Sequence, residues 1–197
     1  DPTNAYKAQR ASLLAQRDEL QRQRDAESKK KKKDKDKLAD YDNELREMSL
    51  TIKQFSTDFL KSVYSVDMKS WASQLTDSVV SAWEKGEDAI DAYKKKAKEL
   101  VKDLTKNILS QKVMETALSK PLDYLTGLIE QKGKLDESDM PKLIDQLVSA
   151  GENASYNITA ILDALKAKGY DFSESGSGSV SSSISTLTEG TGDLLAS

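Results

Sequence analysis

The chain contains no cysteine and no histidine. The first absence removes disulfides and thiol chemistry, and it leaves the redox compartment open. The second removes the commonest general base and the commonest transition-metal ligand. Three prolines and nine glycines in 197 residues leave few places where a helix must stop. Aromatics are 6% and hydrophobic residues 37%, against 32% charged. Core material is scarce and helix formers are plentiful, which predicts extended helices more than a compact globule. No run approaches the roughly 20 apolar residues needed to cross a bilayer. No signal peptide is visible. Neither sign of charge dominates: the formal net charge is −3, so the whole chain is not a polycation seeking nucleic acid. The length suits one or two domains. The chain begins at Asp1 without methionine and stops at Ser197 inside an apparent helix, and we read it as a piece of a longer protein.

What is present is periodicity. Leu38, Tyr41, Leu45, Met48, Ile52, Phe55 and Phe59 alternate spacings of three and four, the heptad seam of a coiled coil. With Leu38 at a and Tyr41 at d, the d lane runs back through Asp34, Glu27, Leu20, Leu13 and Tyr6. The a lane runs back through Lys31, Arg24, Arg17 and Arg10. The apolar seam thus fades upstream while the frame stays unbroken, and no glycine or proline interrupts residues 4 to 62. One helix of about 60 residues would be roughly 90 Å long. Basic residues at a weaken a coiled coil although their alkyl stems still pack. An intrachain hairpin turning near residues 28 to 36 is the alternative geometry. Lys29 to Lys37 holds seven lysines and two aspartates. The interleaved aspartates and the lack of nearby aromatics favour a solvated, self-repelling stretch of helix over a phosphate-contacting patch.

A second stripe follows. Trp71, Leu75, Val79 and Trp83 recur every four residues, and Gly86 interrupts them. Glu87, Asp88 and Asp91 then open another helix, where acids meet the positive end of the dipole. Ile90, Tyr93, Ala97, Leu100, Leu104 and Ile108 carry its stripe onward. Such stripes are first of all packing surfaces. Asp67 or Ser70 is placed to cap the tryptophan helix after a break at Ser65-Val66-Asp67.

Trp71-Ala-Ser-Gln-Leu-Thr-Asp-Ser-Val-Val-Ser-Ala-Trp-Glu-Lys-Gly-Glu-Asp-Ala resembles a segment near the C-terminal part of tail tape measure proteins from phages and prophages of Bacteroides-type bacteria. Asn107-Ile-Leu-Ser-Gln-Lys-Val-Met-Glu-Thr-Ala-Leu118 is similar to the same proteins, in the same order. So are Gly176-Ser-Gly-Ser-Val-Ser-Ser-Ser-Ile-Ser-Thr-Leu-Thr-Glu189 and Asp193-Leu-Leu-Ala-Ser197. Together the pieces cover most of residues 45 to 197. The resemblance implies a structural role and brings no active site with it. It implies a small parallel homo-oligomer, a trimer, working with tail tube and tail-tip proteins. It places the chain in the virion tail lumen, and in the host cytoplasm during assembly. It leaves host-membrane contact open as a possibility on ejection, while DNA contact, also possible, has no support in the residues.

Farther along, Pro121 is expected to end or kink the long second helix. Leu122, Leu125, Leu128 and Ile129 then form a short helix, and Gln131 to Lys134 a turn. Residues 128 to 139 superficially suggest a calcium loop. With Gly133 at position six, Leu128 and Lys132 fall where oxygen ligands are needed, so no calcium is expected. Asp139 is expected to cap a helix with Pro141 in its first turn, which Gly151 closes. Asn153 opens another helix, and Gly169 ends it. These two helices with residues 122 to 130 would form a small antiparallel bundle. Asn153-Ala-Ser155 and Asn157-Ile-Thr159 match the glycosylation triplet accidentally, on expected helix.

No paired catalytic carboxylates, glycine-flanked serine, phosphate-cradling loop or metal cluster emerges, so we expect no enzyme and no cofactor. The overall expectation is an all-α, elongated chain. It comprises a coiled-coil rod over 1–66 and two long amphipathic helices over 67–130. A small helical hairpin follows over 131–172, then a Ser/Gly linker over 173–186 and the start of a further helix over 187–197. The alternatives are a membrane-active amphipathic module built on Ile90 to Leu109 and a cellular coiled-coil scaffold.

Overall fold

The computed structural model describes residues 2–104 and 108–169. Within them the chain is all-α. Six helices run in order: α1 (Pro2–Ser28), α2 (Lys35–Tyr64), α3 (Met68–Glu84), α4 (Ala89–Lys102), α5 (Ile108–Lys132) and α6 (Asp139–Ala167). The expected linker and final helix lie outside the described residues.

The uninterrupted helix expected over 4–62 is two helices. The chain turns at 29–34, and α2 runs back along α1. The alternative hairpin is therefore the observed one. Like charges four apart on a helix repel, and Lys29/Lys33, Lys31/Lys35 and Lys33/Lys37 are three such pairs. Asp34 offers a better use of the backbone. It caps α2, accepting from the Asp36 and Lys37 amides at 3.0 and 3.2 Å. Glu27 accepts from the Asp34 amide at 3.0 Å and from Lys30 Nζ at 2.6 Å, which fastens the turn from the other side.

The remaining boundaries follow local chemistry. Ser65 takes a left-handed conformation (φ 58°), and both its amide and that of Val66 bond Leu60 O. Asp67 caps α3 through the Ser70 amide at 3.1 Å, as expected. Gly86 (φ +71°) closes α3, and Asp88 caps α4 through the amides of Ile90 and Asp91. The second helix does not continue from 87 to 118. It stops at Lys102, and α5 packs back against α4, so that each covers the other's apolar side.

Two further expectations fail. Pro121 does not end its helix: α5 runs through it, with Pro121 buried. Nor does Gly151 end a helix. α6 is continuous, and Gly151 is where Met68 approaches the α6 backbone. A Cβ at 151 would meet Met68 Cγ at 2.5 Å. What looked like a stop is a close helix crossing. The residue that closes α6 is Gly169 (φ +88°), as expected.

The core lies among α3, α4, α5, α6 and the end of α2. Leu75, Val79, Tyr93, Met114, Leu143 and Ile158 are among its fully covered members. Each such side chain contributes about 1.5–3 kcal/mol of burial.

Candidate functional site

Two surfaces were candidates from the sequence: the heptad seam and the tryptophan stripe. The structure places the seam residues on the face of α2 that meets α1. Ile52 and Phe59 are buried, while Leu38, Tyr41, Leu45, Met48 and Phe55 are half-covered. Opposite them sit the upstream lane residues Tyr6, Arg10, Leu13, Arg17, Leu20 and Arg24, none of them exposed. Both lanes thus face inward as the frame requires, but they meet each other within one chain and antiparallel.

The hairpin is pinned unequally. At its root, Tyr6 stacks on Phe59 with ring centroids 4.0 Å apart and on Phe55 at 5.2 Å. Its Oη lies 2.9 Å from Ser56 Oγ, and Ser155 Oγ of α6 donates to Ser56 O at 3.2 Å. Burial raises the Tyr6 pKa, against the opposing effect of its hydrogen bond with Ser56. Arg10 lies over the Tyr156 ring at 4.6 Å, and its buried Nε has no hydrogen-bond partner among the described residues. Lys7 pairs with Asp163 at 2.7 Å. Toward the tip the side-chain link is Arg24 Nε to Asp42 at 2.7 Å, a half-exposed ion pair of small net value.

The lysine run sits at the far end, as the turn itself. Lys29 to Lys33, Lys35 and Lys37 are all exposed. The expectation of a solvated stretch of helix is corrected for residues 29–34, which form an exposed turn. The signal that could have shown this was Asp34, a good N-cap, with Asp36 in the turn it caps.

In the second surface Trp71, Leu75, Val79, Tyr93 and Leu100 are buried. Trp83 and Leu104 pack on the same core while partly covered, and Ile90 is half-buried. The Ile108 side chain lies outside the described residues. The stripe is therefore mostly internal packing between α3, α4 and α5. Tyr93 Oη donates to Leu118 O at 2.7 Å, and burial raises its pKa well above the ordinary tyrosine value. An open depression between α3 and α4 brings Asp77, Glu87, Glu99, Lys95 and Lys96 together, a charge-mixed surface crossed by the Lys96–Glu99 pair.

The loop at 133–138 shows what its acids do. Asp139 is the first residue of α6, not its side-chain cap. Its buried carboxylate accepts from the Asp136 amide at 2.8 Å and from Lys132 Nζ at 2.9 Å. Those contacts, the amide first, hold its pKa below the usual carboxylate range. Among the described residues no group of three or more acids is arranged to hold a metal ion, and no helix is long and apolar enough to cross a membrane.

Comparison with known proteins adds no identification: no family model, no curated protein and no solved structure matches the chain.

Proposed function

We propose that this chain is a fragment of a phage or prophage tail tape measure protein, acting as a structural virion component and not as an enzyme. The reading rests on the ordered resemblance of residues 71–89, 107–118 and 176–197, and the all-α architecture is compatible with it. The observation that carries the mechanism is the heptad frame, which passes through the hairpin turn without a break. The seam that closes the hairpin is then the seam a rod would use. In the tail lumen α1 swings away from α2, residues 29–34 become helical, and parallel copies associate through Leu38 to Phe59. The opened segment, about 60 residues and roughly 90 Å long, adds to the ruler. The folded part from Trp71 to Ile129 seats the rod at the tail tip, and the assembly leaves with the DNA on ejection.

The test is tail length by electron microscopy after in-frame deletion of residues 10–30 from the parent gene. An opened rod shortens the tail by about 30 Å, since those 21 residues rise about 1.5 Å each. Unchanged length defeats the ruler reading for this segment. If such tails also fail to nucleate or infect, the segment belongs to the tip or to ejection.

The membrane reading is less favoured, because Tyr93, Leu100 and Val101 are already buried. The apolar face of α4 would have to leave the core to reach a bilayer. A cellular scaffold is distinguished by its gene neighbours: tail tube and tail-tip genes support the phage reading, and their absence the scaffold.

A further inference from the structure

The hairpin tip concentrates positive charge that its own acids offset only in part. Residues 29–37 carry seven lysines against two aspartates, a local charge of +5 on a chain whose total is −3. The rest of the chain is therefore acidic. Some lysines elsewhere sit beside acids one turn away, as in Lys95–Asp91, Lys96–Glu99 and Lys112–Glu115. At the tip, Lys30 alone is held in an ion pair among the described residues, with Glu27. The Asp34 carboxylate is occupied by backbone amides. Six other lysines are exposed here, four on the turn and two in the first turn of α2.

The tip also stands away from the body. The buried residues of α2 run from Ile52 to Leu60, where α3 and α6 pack. Asp34 lies 18 residues before Ile52, about 27 Å along the helix axis. Nothing from the core limits access to it.

We propose that this tip binds the phosphodiester backbone of double-stranded nucleic acid without sequence preference. Phosphate contact needs positive charge and reach, and lysine supplies both as a mobile point charge. Stacking of unpaired bases needs exposed aromatic rings, and the nearest aromatic in sequence, Tyr41, is half-covered. Stable attachment to an anionic membrane needs an apolar anchor beside the basic cluster. Among the described residues the large exposed apolar side chains, Leu50, Ile144 and Tyr156, all lie outside the tip. The proposal does not depend on the tape measure reading, because it rests on the charge of the tip alone.

The experiment is fluorescence anisotropy with a labelled 20-base-pair DNA duplex, titrated with the full chain at several salt concentrations. Four to six phosphate contacts give a log–log salt slope of about −4 to −5 and an affinity loss of roughly 10²–10³ between 50 and 200 mM salt. A variant with Lys29, Lys31, Lys32 and Lys33 changed to Gln spares the Lys30–Glu27 pair. It should weaken binding at least about tenfold at 50 mM salt and flatten the slope by about 3 to 4. Its circular dichroism should match the parent. The charge-matched control, Lys94, Lys95, Lys98 and Lys102 changed to Gln on α4, should stay within about threefold of the parent. The proposal is overturned by no binding at 50 mM salt, by loss of binding in the control in place of the tip variant, or by binding to phosphatidylserine vesicles with none to DNA.

Discussion

Tyr93 Oη donates to the carbonyl of Leu118 at 2.7 Å, three residues before Pro121. The proline has no N–H, so the Ala117 carbonyl loses its partner within the helix, and the ring crowds the turn before it. Tyr93 supplies a donor from α4 to the next carbonyl along. Replacing it with Phe keeps the ring and removes the donor, and stability should fall by about 0.5–1.5 kcal/mol in urea titration. The same residue governs alkaline behaviour. Its folded pKa is raised by burial, so the stabilisation is complete below the unfolded value near pH 10 and is lost as pH rises above it. Between those two pKa values the parent should lose up to about 1.4 kcal/mol more per pH unit than Tyr93→Phe.

Gly151 and Met68 form a close helix crossing. Alanine would gain about 1 kcal/mol of helix propensity over glycine. A Cβ 2.5 Å from Met68 Cγ requires the methionine to shift near its base, a cost of about 1–3 kcal/mol. Gly151→Ala should therefore be net destabilising in the parent. In a Met68→Ala background the clash is gone and the same change should become neutral or stabilising. A double-mutant cycle that gave no coupling between 68 and 151 would refute the close approach.

Acid should loosen the α5–α6 connection only below the ordinary aspartate range. Asp139 has a lowered folded pKa, owing first to the Asp136 amide and then to Lys132. Its contribution is present above the ordinary aspartate range and is lost as pH falls through the lowered value. Asp139→Asn should remove that part of the acid dependence while lowering stability at pH 7. Thermal melts from pH 7 to pH 2 on both proteins read the difference. Parallel pH curves would show that Asp139 contributes no such dependence.

The hairpin and the rod predict different distances. With no native cysteine, Gln9→Cys and Leu50→Cys take spin labels cleanly, and both positions are exposed. In the hairpin the labels lie within about 25 Å, given adjacent helices 8–10 Å apart. In a continuous helix the 41-residue separation is about 62 Å. Pulsed electron resonance on the isolated chain should give the short distance, and the long one should appear on assembly into tails.

Tyr6→Ala should free α1 with limited damage elsewhere, because Tyr6 is the buried apolar anchor of that helix. Hydrogen exchange should speed across residues 2–28 while α5 and α6 keep their protection. Uniform loss of protection would mean that α1 and the core fold as one unit.

The helical class, the a and d lanes, the Asp67 cap, the Gly86 break and the Gly169 stop were legible in the residues. Each depends on neighbours within about one turn or on a fixed period. Misreadings arose where that local logic was silent or ambiguous. A heptad frame specifies which faces meet, but not whether the partner is another chain or the same one folded back. Gly151 and Pro121 look like helix ends, because their effect within a helix is unfavourable. For Gly151 the missing information is a contact distant in sequence, the close approach of Met68, and α5 runs on through Pro121. The order of residues alone determined the periods, the caps and the charge at Lys29–Lys37. The tertiary structure decided that the seam closes on α1, that the tryptophan stripe turns mostly inward, and that the lysines stand at an exposed tip. Those outcomes depend on which apolar surfaces find each other, a sum over the whole chain that no local window contains.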